Sequence, residues 1–440
     1  MTDPSHPEAD APKGRRPIFY GWYIVAASIA TNAIFSAAYF QGFNVLIIPI
    51  ERTFGWDRWV ISAAMSLRQM ESGIASPLIG FLLDRFSPRR MIFWSAVIAA
   101  IGLVGLGLMN GIVMFFIFFF IVSLGASGLS HAVTWPVVIA RWFRRNRGKA
   151  MGLAVMGPIF GSPIVILNSE IEQAFGWRAV LIGYGIAVLV GITLLSRVAR
   201  ERPEPYGLRP DGDPPEEGAA LERPTNQSAR SAETGLSLRA VLHMKEFWLL
   251  TTYLSGTFIV NSAIQVHQIP YFEQDVGLSR TSSAAVLTLV FLLSGIGRIG
   301  GGYVMDWIDY RIVLAGVTLA MGLSLVYLQL TDIQGLWMAL PFAVLFGISF
   351  GATVPMRGAL GSLMFGTRSL GSVIGLMQGG SVAAGMLGPI SLGVIFDLNG
   401  NYSAGLWGLI AVSVLMVPVA LALASPGALA KRTATMTNKG

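Results

Sequence analysis

Residues 54–90 read FGWDRWVISAAMSLRQMESGIASPLIGFLLDRFSPRR, and residues 276–312 read VGLSRTSSAAVLTLVFLLSGIGRIGGGYVMDWIDYRI. The two stretches align without a gap at an offset of 222, so that Gly55, Arg58, Gly73, Gly80, Asp84 and Arg89 fall on Gly277, Arg280, Gly295, Gly302, Asp306 and Arg311. At an offset of 223, Arg145, Gly148, Gly152 and Gly157 fall on Arg368, Gly371, Gly375 and Gly380. With 51 glycines in the chain a single Gly match carries little weight. Arg and Asp meeting their like at the ends of apolar runs are hard to produce by chance. The chain is therefore read as two copies of one unit.

Working outward, apolar runs occupy 20–47, 59–83, 90–109, 112–140, 148–170 and 177–197, then 246–271, 281–305, 311–330, 335–363, 370–396 and 402–424. Each approaches or exceeds the roughly 20 residues that a bilayer-spanning helix needs. The fold class expected is an all-α membrane protein with twelve transmembrane helices in two pseudo-symmetric six-helix bundles. Its parts are an N-terminal tail (1–19), a first bundle (20–198), a linker (199–245), a second bundle (246–424) and a C-terminal tail (425–440). The linker carries Pro203, Pro205, Pro210, Pro214, Pro215 and Pro224 among Glu, Arg and Ser, a composition with too little apolar surface to order itself. The first apolar run is too long for a signal-peptide core and lacks a small-residue cleavage site, so it reads as a retained helix.

Composition agrees: 53% of residues are hydrophobic and only 12% charged, with a mean hydropathy of +0.62. That excludes a soluble enzyme or a nucleic-acid binder. No cysteine is present, hence no disulfide, thiolate metal site or cysteine nucleophile. Neither a nucleotide loop nor a metal signature occurs, so no cofactor or metal is expected. Most of the 31 Lys and Arg lie in the tails, the linker and alternate loops, while the opposite loops hold only Arg52, Arg58, Arg178 and Arg280. By the positive-inside rule both termini are cytoplasmic. The net charge of +7 reflects that loop bias.

The run Gly80-Phe-Leu-Leu-Asp84-Arg85-Phe-Ser87-Pro-Arg89-Arg90 resembles the signature that the major facilitator superfamily carries between its second and third helices, departing from it at Ser87, where glycine is usual. Within that superfamily the chain is similar to the monocarboxylate transporter and oxalate:formate antiporter branch. The stretches that carry this are Gly21-Trp22, Phe54-Gly55-Trp56, Phe175-Gly176-Trp177-Arg178, Trp142 to Gly152, His267-Gln-Ile-Pro270-Tyr271 and Gly297-Arg298. The resemblance implies a ligand site between the halves near mid-bilayer, and an arginine at the place of Arg298 that binds a substrate carboxylate. Oxalate-type relatives also carry a lysine in helix eleven, which the span 370–396 lacks; a monocarboxylate is the expectation unless Arg357 replaces that charge.

The residues themselves point the same way. An arginine inside a span costs about 2.5–3.5 kcal/mol on insertion scales, so Arg298 reads first as a group facing a cavity, its planar fork matched to a carboxylate. The other reading has it pair with Asp306 in a gate, although an i, i+8 spacing is too long on one helix. Arg68 and Glu71, at i, i+3, read as a neutralising pair that is either structural or a proton carrier. Thr257, Asn261, Gln265 and Gln268 form a polar stripe on helix seven, and the repeat mates of the first three, Phe35, Tyr39 and Phe43, are aromatic; the other reading of the stripe is hydrogen bonding between helices. His131 and Gln378 complete the candidate surroundings of the ligand. Gly80, Asp84, Arg85, Arg89, Arg90 and Asp306 read as gate rather than ligand site. Gly148, Gly152, Gly157-Pro158, Gly161 and Pro163 in helix five partly resemble the glycine–proline motif of antiporter-type relatives.

The expected function is secondary active transport of a small organic monocarboxylate with a proton, by alternating access of the halves. Organic-anion exchange, proton-driven efflux and a transporter-like sensor are the alternatives. Partners are the small organic anion, protons and the lipid bilayer, with no nucleic acid and no required oligomer, in what reads as a bacterial inner membrane.

Overall fold

The computed structural model describes residues 19–40, 42–56, 58–129, 132–212 and 235–425. The helices are labelled α1 to α12 by span. α1 runs through Tyr20–Phe35, a π turn at Ser36–Phe40 and Gly42–Phe54; α2 is Arg58–Arg85 and α3 Pro88–Gly107. α4 joins Ile112–Leu129 to Thr134–Trp142. α5 is Arg147–Ala154 plus the first part of Gly157–Ala187; Gly176, at φ 80°, separates it from α6, which ends in a π turn at Val188–Ile192 and Thr193–Ser196. In the second half α7 is Lys245–Gln274, α8 Arg280–Val304, α9 Tyr310–Leu330 and α10 Leu340–Phe365. α11 joins Leu370–Gly385 to Leu387–Asn399, and α12 is Ser403–Leu421. Among the described residues the β pairing is a single bridge, Gly235 to Gly366.

Among the described residues ten stretches are long and apolar enough to cross a membrane by length and composition. α2, which carries Arg68, Glu71 and Asp84, is less apolar than these. α2 runs along α11, and α5 along α8, so these helices face protein rather than lipid on the side that joins the two bundles. Such faces tolerate Arg68, Glu71, Asp84, Arg147 and Lys149, residues that lipid would exclude.

The halves meet closely on the linker side. There a Cβ on Gly80 would collide with the carbonyl of Gly371, and its repeat mate Gly302 sits equally tight against Gly148. Only glycine allows backbones to approach this far. A single apolar cluster crosses the halves at this level, with Ile79 and Leu83 of α2 in the same core as Met356, Leu360, Ile374 and Met377. At the opposite end the second half keeps a core of its own, around Phe272, Val286, Phe342 and Leu406. The arrangement is closed on the linker side.

The linker's first residues pack onto that closed face. Glu201 meets Arg141 at 3.4 Å, Trp142 Nε1 donates to the carbonyl of Arg200 at 2.9 Å, and the Asp211 carboxylate accepts the N–H groups of Arg144 and Arg145, both at 2.8 Å.

Candidate functional site

The position of Arg298 follows from a defect in α5. Pro158 has no N–H to give the carbonyl four residues back, that of Ala154. The N–H of Ile159 closes instead on Met156, at 2.9 Å, which leaves the Val155 carbonyl without its helical donor. Two side chains fill these vacancies from opposite directions. Ser28 of α1 donates to Ala154 O at 3.3 Å, and Arg298 Nη1 of α8 donates to Val155 O at 2.8 Å. Arg298 thus spans the boundary between the halves while buried, at 9% exposure, and its Nε has no partner. The alternative pairing with Asp306 does not form, because Asp306 lies two turns further on and is otherwise engaged.

A second arginine, Arg357 of α10, is partly buried and donates through Nη1 to Oε1 of Gln378 on α11, again a neutral acceptor. Neither Arg298 nor Arg357 meets a carboxylate among the described residues.

Glu71 is 5% exposed and does not pair with Arg68, which corrects the expectation drawn from their spacing. Its carboxylate accepts from Ser123 Oγ at 2.5 Å and from Ser127 Oγ at 3.1 Å, both on α4. The Arg68 guanidinium lies instead over the rings of Tyr39 and Phe40, 5.7 and 5.3 Å from their centroids. An i, i+3 spacing sets two side chains on neighbouring lines of a helix, and here α4 takes one of them while the aromatic face of α1 takes the other. Ser123 and Ser127 were not singled out in the sequence. The signal available was their i, i+4 spacing in an otherwise Phe-rich helix.

Tyr39 is fully buried against Phe35, Phe40 and Phe119, and its hydroxyl meets no partner. The aromatic residues of α1 pack inward on α4, inside the first half. On α7, Thr257 returns its hydroxyl to Tyr253 O and Leu254 O of its own helix. Asn261 is buried with Oδ1 unpartnered, Gln268 is buried with both amide atoms unpartnered, and Gln265 is partly exposed. The stripe therefore divides, with Gln268 turned towards a water-sized cavity of about 10 Å³ inside the second half, between Tyr271 and Leu406. His131 lies outside the described residues.

Two matched contacts close the linker side. Asp84, near the end of α2, accepts the N–H groups of Gly371 at 2.9 Å and Ser372 at 2.8 Å, at the start of α11. Asp306, just past α8, accepts those of Gly148 and Lys149, both at 3.0 Å, at the start of α5. Each carboxylate sits on the positive end of a helix in the other half. Burial raises the Asp306 carboxyl from its ordinary value, and the two N–H donors with Arg147 pull it back. Arg85 lies 4.1 Å from the centroid of the Phe81 ring, and Arg89 and Arg90 are exposed and line a cavity formed with the end of α6 and the first linker residues.

The crossed contacts between two repeat-related bundles agree with what comparison finds: the family model of the Major Facilitator Superfamily matches residues 27–389 and 266–437. The chain belongs to the major facilitator superfamily. It is a multi-pass membrane transporter. Chicken monocarboxylate transporter 4 is 21% identical over 398 residues, covering 87% of this chain and 78% of the relative. Human monocarboxylate transporter 12 is 24% identical over 88% of this chain and 77% of its own length. An MFS-type transporter of Bacillus subtilis is 24% identical over 91% and 93%. Among solved structures, a proton:xylose symporter aligns with a TM-score of 0.70 at 15% identity over 92% of this chain and 96% of its own. The human organic anion transporter MFSD10 aligns at 0.68 and 12% identity over 92% and 100%. The fold is shared with both.

Proposed function

We propose that this transporter carries a small organic monocarboxylate together with a proton. The observation that supports it is the pairing of Arg298 with a neutral carbonyl. A buried guanidinium without a counter-charge is costly, and an anionic ligand that supplies the charge removes that cost. Arg298 also joins the halves at the α5 break, so an anion that draws its guanidinium off Val155 acts on the contact between them. Arg357 with Gln378 is a second cationic group, in the second half, and Asn261 and Gln265 of α7 are proposed to contact the rest of the ligand. Relatives named monocarboxylate transporters agree with this cargo.

Glu71 is the proton-carrying candidate. Its two serine partners are neutral, so either protonation state can be held in place, which a tight Arg68 pair would not allow. Asp84 and Asp306 hold the linker side shut and part when that side opens. With both termini cytoplasmic, as the Lys and Arg distribution indicates, the described state is closed to the cytoplasm, and a bacterial inner membrane is the proposed location.

The test is uptake of labelled lactate into proteoliposomes under an inward proton gradient. Gradient-driven accumulation supports symport. Uptake only into vesicles preloaded with another organic anion makes the protein an exchanger, and no uptake in either case overturns lactate-like cargo.

A further inference from the structure

A charged cavity lies on the linker side, outside the contact between the halves. It is about 580 Å³ and open, bounded by the start of α3, the end of α6 and the first linker residues. Arg89, Arg90, Arg197, Arg200 and Arg202 line it, against one carboxylate, Glu201, which is committed to Arg141. Arg89, Arg90 and Arg197 meet no carboxylate among the described residues. Arg89, Arg90 and Arg197, with no carboxylate opposite them among the described residues, give the hollow a positive potential that draws anions in.

The cavity is also built rather than accidental. Arg200 is held between the rings of Tyr20 and Tyr206, 4.2 and 4.0 Å from their centroids, and its carbonyl is fixed by Trp142. The Tyr20 hydroxyl donates to Val198 O at 3.2 Å, which ties the same segment to α1. Thr193 in the wall has a hydroxyl with no partner. Guanidinium forks positioned in this way match phosphate oxygens, which accept two parallel N–H bonds.

We propose that this cavity binds a phosphate-bearing anion, and the surroundings point to the headgroup of an acidic membrane lipid. The helices that frame it turn large apolar residues outward just beyond it, with Trp94 60%, Val190 54% and Leu194 54% exposed, so acyl chains can lie along α3 and α6 while the phosphate reaches the arginines. Basic pockets between helices at a membrane surface hold acidic headgroups by this combination. A soluble phosphate shares the headgroup chemistry but has no use for those apolar flanks. The inference is independent of the transported cargo.

The experiment is thermal unfolding of the full chain in detergent, titrated with phosphatidylglycerol, phosphatidylcholine or inorganic phosphate. Phosphatidylglycerol is expected to raise the midpoint saturably by several degrees, with phosphatidylcholine giving no saturable rise. An Arg89→Gln/Arg197→Gln double variant is expected to lose that increment, and Arg52→Gln, on the opposite side, to keep it. Inorganic phosphate that reproduces the rise and abolishes the lipid increment keeps the phosphate site but makes its ligand soluble. Equal effects of the two lipids, no effect of either lipid or phosphate, or a double variant that retains the increment overturns the proposal. Native mass spectrometry of the wild type gives a readout that does not depend on the variants folding: retained phosphatidylglycerol, released by high salt, is expected, and equal retention of phosphatidylcholine counts against the site.

Discussion

Two side chains, Arg298 and Glu71, have unusual partners. Arg298 holds a carbonyl where a carboxylate belongs. Replacing it by glutamine keeps a donor for Val155 but removes the charge and one arm of the fork. A hydrogen bond to a charged group contributes about 1.5–3 kcal/mol, so the affinity for the carboxylate is expected to fall by a factor of about 10 to 150. Arg298→Lys restores the charge without the fork and is expected to recover only part of that loss. The KM for uptake measures both, and a KM unchanged in Arg298→Gln removes the arginine from the site. For Glu71 the expectation separates coupling from binding. Glu71→Gln still accepts from Ser123 and Ser127, so the protein should fold and exchange labelled for unlabelled substrate at equilibrium. Accumulation driven by a proton gradient should vanish, and its persistence in that variant would sink proton carriage by Glu71.

At the element scale the break in α5 does the positioning. Pro158→Ala supplies an N–H that Ala154 O can take, and lets Ile159 return to Val155, which withdraws the acceptor from Arg298. Stability is expected to hold or rise, since alanine is the better helix former. The maximal transport rate should fall, because the link between α8 and α5 is the part removed; an unchanged rate with intact folding would show that the break is not used. Twelve spans were legible because lipid enforces long apolar runs, and α2 was legible despite its charges because its repeat mate is more apolar. The partner of Arg298 was not legible, since a main-chain carbonyl freed by a proline three residues away leaves no residue-type signal. The Arg68–Glu71 pair misled for a related reason: spacing on one helix says which groups are near, whereas the neighbouring helices decide which of them meet. The π turn of α1 at Ser36–Phe40 likewise leaves no signal in hydropathy.

At the scale of the whole molecule, the internal repeat accounts for the closure. The offsets of 222 and 223 that carry Asp84 to Asp306 and Gly148 to Gly371 also carry the contact of one bundle onto that of the other, so each half supplies a carboxylate and each supplies a helix start. Two equal contacts on opposite flanks of the interface resist rocking about either one. Removing one carboxylate therefore leaves the other to hold the linker side, and removing both is expected to release it. The chain has no cysteine, so spin labels at Arg144→Cys and Arg368→Cys, exposed and in opposite halves, need no prior removal of native thiols. Their distance distribution is expected to show a short population in the otherwise unaltered protein and in Asp84→Asn or Asp306→Asn alone, with a longer population appearing mainly in the double variant. Each helix-end contact of this kind contributes about 0.3–2 kcal/mol, so loss of both shifts a two-state balance by a factor of up to several hundred. A distribution unmoved in the double variant would place the closure in the glycine-mediated backbone contacts of Gly80 with Gly371 and Gly148 with Gly302, and the carboxylates would then serve only to start the helices they touch.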